Sequence, residues 1–83
     1  MSDSHLLSHY AKGDEQAFSM LLNRHKDRVY TTIYLIVKDS YLAEDILQEV
    51  FIKAITMIKS DRYNDEGKFL PWILRIAHNM AID

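Results

Sequence analysis

Cysteine is absent from this chain of 83 residues, so neither a disulfide nor a thiolate-bound metal can hold it together. That absence agrees with a reducing compartment. Breakers are scarce too, with two glycines and one proline, which leaves few places where a helix must stop. Long apolar runs are missing. The longest, Val29 to Val37, is interrupted by Thr31 and Thr32 and is too short to cross a bilayer. The opening Met1-Ser2-Asp3-Ser4-His5 has neither the basic nor the apolar stretch of a secretory signal. The expectation is a soluble cytoplasmic protein with no membrane partner. An excess of positive charge is also lacking: the formal net charge of −2, taken alone, weighs against nucleic-acid binding.

What is present is apolar and periodic. The hydrophobic fraction of 48% is ample for the core of one small domain and too high for a disordered chain. A short first helix is expected from about Ser4 to Lys12, closed by Gly13 in the left-handed conformation. Asp14 is a good N-cap for a second helix from about Glu15 to Lys38, and Glu15 complements its dipole. In that helix Phe18, Leu21, Leu22, His25, Val29, Ile33 and Ile36 recur at steps of three and four, one face of an α-helix. Beyond Val29, Tyr30, Tyr34, Leu35 and Val37 fill its other faces, so it is expected to be central and enclosed by its neighbours.

Asp39-Ser40 breaks the pattern and offers a cap for a third helix, about Tyr41 to Lys59. Its apolar series is Leu42, Ile46, Leu47, Val50, Phe51, Ala54, Ile55 and Ile58. Ser60 to Lys68 is polar and turn-rich, a loop by composition. A fourth helix is expected to start around Phe69 to Pro71, burying Phe69, Trp72, Ile73, Ile76, Ala77 and Met80. The fold class is therefore all-α, a bundle of three main helices plus a short N-terminal one.

Chemistry-bearing constellations are few. No nucleophile–base arrangement, glycine-rich phosphate cradle or catalytic carboxylate pair is visible, and the chain is not expected to be an enzyme. His5 and His9 are spaced for one helix face, but no third ligand lies nearby in sequence, so neither a metal nor another cofactor is expected. His25 falls in an apolar stripe and reads as a satisfied interior or boundary histidine. The third helix carries a second, polar stripe. Asp45, Gln48, Glu49 and Ile52 lie at i, i+3, i+4 and i+7, either a solvated face or a surface for docking a basic partner helix.

The string Ala43-Glu44-Asp45-Ile46-Leu47-Gln48-Glu49-Val50-Phe51-Ile52-Lys53-Ala54 closely resembles region 2.2 of the bacterial RNA polymerase sigma factors. The segment from Phe69 through Trp72, Arg75, Ile76, Ala77 and Asn79 to Asp83 looks like regions 2.3 and 2.4 that follow it. Upstream, Gly13-Asp14-Glu15-Gln16-Ala17-Phe18 is similar to the opening of the group IV, or extracytoplasmic-function, branch. Three such signatures in the right order cover nearly the whole chain.

The resemblance implies a transcription initiation domain that binds core RNA polymerase and recognises and melts the promoter −10 element. Asp45, Gln48, Glu49 and Ile52, with Lys53 at the edge, would dock on a basic coiled coil of the β′ subunit; Phe51 is assigned to packing. The loop from Asp61 to Lys68, with Tyr63, Asn64 and Lys68, would hold a flipped base of the non-template strand. Stacking and base-edge hydrogen bonds suit that task. Tyr63 could equally cover the end of the core. On the fourth helix Arg75 would hold phosphate and Asn79 read a base edge. His78 stands where the family often has arginine, which softens phosphate contact, and Ile73 stands where leucine is usual.

The resemblance also implies that residues 1–83 form a region 2 domain stopping within region 2.4, ahead of a basic stretch and a second DNA-binding domain. Feeble DNA binding without polymerase, and a net charge that is not positive, both follow. An anti-sigma factor is a further implied partner. The alternative function is a helical interaction module held by such a regulator, with no promoter role.

Overall fold

Side-chain oxygens of Ser2, Asp14 and Asp39 set three helix starts in the computed structural model, which describes residues 2–60, 62–63 and 67–82. Ser2 Oγ accepts from the His5 amide, Asp14 Oδ1 from Gln16 and Ala17, and Asp39 Oδ1 from Tyr41 and Leu42. Each bond satisfies an amide that has no acceptor within its helix, and a cap of this kind contributes about 1 kcal/mol. The elements are α1 (Asp3–Ala11), α2 (Glu15–Val37), α3 (Ser40–Lys59) and α4 (Phe69–Ile82). The described residues are thus all-α, with helix bounds within a residue of those expected. Pro71 falls in the first turn of α4, where its missing N–H interrupts no helical bond.

The connections are short because their ends are chemically defined. α1 closes as a Schellman motif: the Gly13 amide donates to Tyr10 O at 2.9 Å and the Asp14 amide to His9 O at 3.1 Å, with Gly13 at φ +100°. α2 and α3 are joined by Lys38 and Asp39 alone. To turn so tightly Lys38 adopts the left-handed conformation, φ 57° and ψ 28°, and its amide donates to Tyr34 O at 2.8 Å. Glycine takes that conformation without steric cost, whereas a lysine Cβ does not.

α2 packs against each of the other three helices, and α3 packs against α4. Leu21, Val29 and Ile33 of α2 meet Leu6, Leu7 and Tyr10 of α1, Ala43, Leu47, Val50 and Ala54 of α3, and Phe69, Ile73 and Ala77 of α4 in one apolar core. Small side chains at Ala43, Ala54 and Ala77 are fully buried in that core beside larger ones. Each large buried aliphatic or aromatic side chain contributes about 1.5–3 kcal/mol relative to exposure.

Two expectations about burial need correction. α2 is central, but its second half is not enclosed on all sides: Leu35 is 62% exposed and Tyr34 is exposed as well. Leu35 lies two residues from the buried Ile33, about 200° round the helix, and among the described residues no neighbour covers that side. Leu42, placed in the apolar series of α3, is also exposed. It stands one residue, about 100°, from Ala43, which takes the inward position instead. Tyr34, Leu35, Tyr41 and Leu42 thus form apolar surface around the α2–α3 turn.

Two stability outcomes follow. Ile33→Ala should destabilise the domain by about 2–5 kcal/mol and Leu35→Ala by less than about 0.5, measured by urea denaturation. Lys38→Gly should stabilise it by about 0.5–1 kcal/mol, because strain at the turn is removed at a position that no helix interior needs. A loss of stability in Lys38→Gly would contradict the left-handed turn.

Candidate functional site

The outer face of α3 carries Asp45, Gln48, Glu49, Ile52 and Lys53, all exposed. Asp45, Gln48 and Ile52 point opposite the buried stripe of Ala43, Leu47, Val50 and Ala54. Among the described residues none bonds to the side chain of Asp45, Gln48 or Glu49. Ile52 is 62% exposed in the middle of this polar face. Tyr41, at 86% exposure, lies four residues before Asp45 and extends the same face toward the helix start. Sequence reasoning passed over Tyr41, although the four-residue step was there to be read.

Beside this face runs a shallow groove between α2 and α3. Ser19, Leu22, Asn23 and Lys26 form one bank; Glu44, Leu47, Gln48 and Phe51 form the other. A second stretch continues past Ser19 and Leu22 to Phe18, Ile55, Lys59, Glu15 and Tyr10. Leu22, Leu47 and Phe51 supply apolar surface, and charged side chains of both signs supply the rims. Gln48 belongs to the groove and to the outer face of α3 at once. Phe51 packs against the core, as expected, while its partial exposure also serves the groove. The contribution of α2 was not legible beforehand, because nothing in sequence says which helix flanks α3.

At another part of the bundle an aromatic cluster closes the root of the loop that leads into α4. Tyr63 packs on Trp72 with ring centroids 4.4 Å apart and edge-on to Phe69 at 6.2 Å. Phe69 and Trp72 lie 5.8 Å apart. Tyr63 therefore covers the end of the core while keeping part of its surface exposed. Lys68 is exposed, and Asn64 lies outside the described residues. On α4 Arg75, His78 and Asn79 are exposed at i, i+3 and i+4, away from Phe69, Ile73 and Ala77. They form one polar strip of a cation, an imidazole and an amide beside the aromatic cluster.

The histidines resolve differently. His25 is half-buried and its Nε2 lies 2.8 Å from Asp3 Oδ2, a satisfied boundary residue as expected. His5 and His9 stack with ring centroids 5.2 Å apart. No three metal-ligating side chains converge among the described residues. Among the described residues no helix is long and apolar enough to cross a membrane.

With this geometry in place, residues 21–83 match the family described as Sigma-70 region 2. The chain is 40% identical over 72 residues to the ECF RNA polymerase sigma factor SigW of Bacillus subtilis, covering 87% of this chain and 37% of that protein. It is 35% identical over 77 residues to the RNA polymerase sigma factor CarQ of Myxococcus xanthus, covering 93% and 43%. Against the ECF RNA polymerase sigma-E factor of Escherichia coli it is 32% identical over 81 residues, covering 98% and 41%. The chain belongs to the sigma-70 family, in its extracytoplasmic-function branch, through region 2. It spans about two fifths of the length of these relatives.

Because Gln48 and Glu49 are exposed and their side chains bond to none of the described residues, the double substitution Gln48→Ala/Glu49→Lys should leave the fold untouched. Helical circular dichroism should be unchanged and stability should move by no more than about 0.5 kcal/mol. A larger loss would show that these side chains serve the fold.

Proposed function

We propose that this domain is a transcription initiation module that binds core RNA polymerase through the outer face of α3 and then recognises and opens the promoter −10 element. The observation that carries the reading is the state of that face: Asp45, Gln48 and Glu49 are exposed and, among the described residues, unbonded around an exposed Ile52. Two carboxylates and an amide around an apolar residue suit a basic helical partner, here the β′ coiled coil. Opposite charge steers the encounter, while the apolar centre excludes water from the contact. Lys53 sits at the edge, and the neighbouring groove with Leu22 and Phe51 gives a second bank for the same partner.

The strand-binding end is proposed on separate residues. Opening a duplex requires a hold on an unstacked strand. Tyr63 offers a face for stacking, and a stacked base is worth about 1–3 kcal/mol. Lys68 and Arg75 attract the phosphates of the non-template strand, Asn79 reads a base edge, and His78 contributes hydrogen bonding beside it. Asn64 is proposed for the same role from its place in the loop. The work is binding and strand separation, not catalysis, and it belongs to the cytoplasm where polymerase and DNA meet.

One observation favours a further protein partner. Tyr34, Leu35, Tyr41 and Leu42 leave apolar surface around the α2–α3 turn, as an interaction module held by an anti-sigma factor would require. Such a regulator could act beside promoter opening or in place of it.

The test is a binding measurement with core polymerase. The wild-type chain should bind, and Gln48→Ala/Glu49→Lys should lose about 2 kcal/mol or more, roughly thirtyfold in affinity, with the fold intact. A folded wild type that does not bind core polymerase would transfer the assignment to the regulator-bound module.

A further inference from the structure

Asp3 of α1 uses both carboxylate oxygens on α2. Oδ1 accepts from Arg24 Nη1 at 2.8 Å, and Oδ2 meets His25 Nε2 at 2.8 Å. The two contacts differ in surroundings. The Arg24 side chain is 37% exposed, so its bond competes with water and salt; that of His25 is 13% exposed and lies inside the bundle surface. An acceptor facing Nε2 requires that nitrogen to carry a proton, which sets both the tautomer and the plane of the ring. The same ring lies against Phe69, with centroids 5.8 Å apart and planes tilted by 39°. Phe69 is fully buried at the first position of α4 and is in turn packed by Tyr63 and Trp72.

A continuous line of contacts therefore runs from the N-terminal helix to the aromatic cluster: Asp3, His25, Phe69, then Tyr63 and Trp72. We propose that Asp3 is a positioning residue for the strand-binding end, acting through His25 on Phe69. This rests on the promoter reading above and extends it to a helix that lies outside the matched segment 21–83. The physical reason is the need for a fixed platform. A base stacks well only on a ring held in one plane, and Tyr63 is held by Phe69 and Trp72. Without Asp3 the imidazole is free to turn, and Phe69 loses a wall on the α2 side. Docking on polymerase uses α3 and does not share this line of contacts.

Trp72 is the only tryptophan in the chain and reports on the cluster directly. The experiment compares wild type, Asp3→Ala, Arg24→Ala and Asp3→Asn in three readouts. These are acrylamide quenching of Trp72, affinity for core polymerase, and retention of random single-stranded DNA of about twelve nucleotides by the polymerase complex. Asp3→Ala should increase quenching and lower strand retention about fivefold, with core affinity unchanged. Asp3→Asn keeps an acceptor for Nε2 and should restore both, and Arg24→Ala should behave as wild type. Unchanged quenching and retention in Asp3→Ala would overturn the proposal. So would an equal fall in strand and core binding, which is what mere loss of folded protein produces, or an Arg24→Ala chain that copies Asp3→Ala. If wild type with polymerase retains no more strand than polymerase alone, the promoter reading itself fails, a result distinct from these.

Discussion

The burial of α2 against three helices at once is the constraint from which the rest of this domain follows. Val29 and Ile33 are fully enclosed where α2 meets its neighbours, and Leu21 is enclosed toward its start. No disulfide supplements that core. A chain this short has little apolar surface to spare, so the inward faces of α1, α3 and α4 are committed to α2 and to one another. The cost shows at the α2–α3 turn, where Lys38 holds a left-handed backbone and only Lys38 and Asp39 separate α2 from α3, which packs against it.

Function occupies what this packing leaves outside. Every proposed contact residue that the structure describes stands on a helix, or at the aromatic root of the loop before one, rather than on an isolated loop tip. Rigid helices hold side chains in fixed relation, which suits both the docking of a partner helix and the reading of a strand. The net charge of −2 fits an order of events. A negative formal charge favours weak DNA attraction by this domain alone, since phosphate binding rests on positive charge. In the proposed order, docking of α3 on polymerase would present the strand at high effective concentration, so that a few contacts from Tyr63, Lys68 and Arg75 would suffice. On the proposed reading, the carboxylates of Asp45 and Glu49 on the outer face of α3 would serve the partner and also discourage stray contact with DNA.

Much of this was readable in sequence because helix ends carry local chemical signals. Asp14 and Asp39 are acids placed just before apolar periodicity, and both cap a helix; Gly13 is a glycine where a left-handed residue is required, and it closes α1. The outward stripe at Asp45, Gln48, Glu49 and Ile52 followed from the helical repeat alone. What escaped depends on the third dimension. Lys38 gives no hint of a positive φ, since lysine rarely adopts one. Leu35 and Leu42 are apolar yet exposed, because periodicity identifies apolar faces without saying which of them finds a neighbour. The bond from Asp3 to His25 spans 22 positions and two helices, beyond the reach of any local pattern. The sequence leaves Tyr63 between two roles; its packing on Trp72 gives it the structural one, and part of its surface stays exposed.

Docking and strand binding are proposed to lie on different helices. Photo-crosslinking residues installed in turn at Gln48 and at Arg75 test it most directly, in complexes of this chain with core polymerase and promoter DNA. The probe at position 48 should link to a polymerase subunit and not to DNA, and the probe at position 75 should link to the non-template strand. Crosslinking of position 48 to DNA, or of position 75 to polymerase alone, would contradict it.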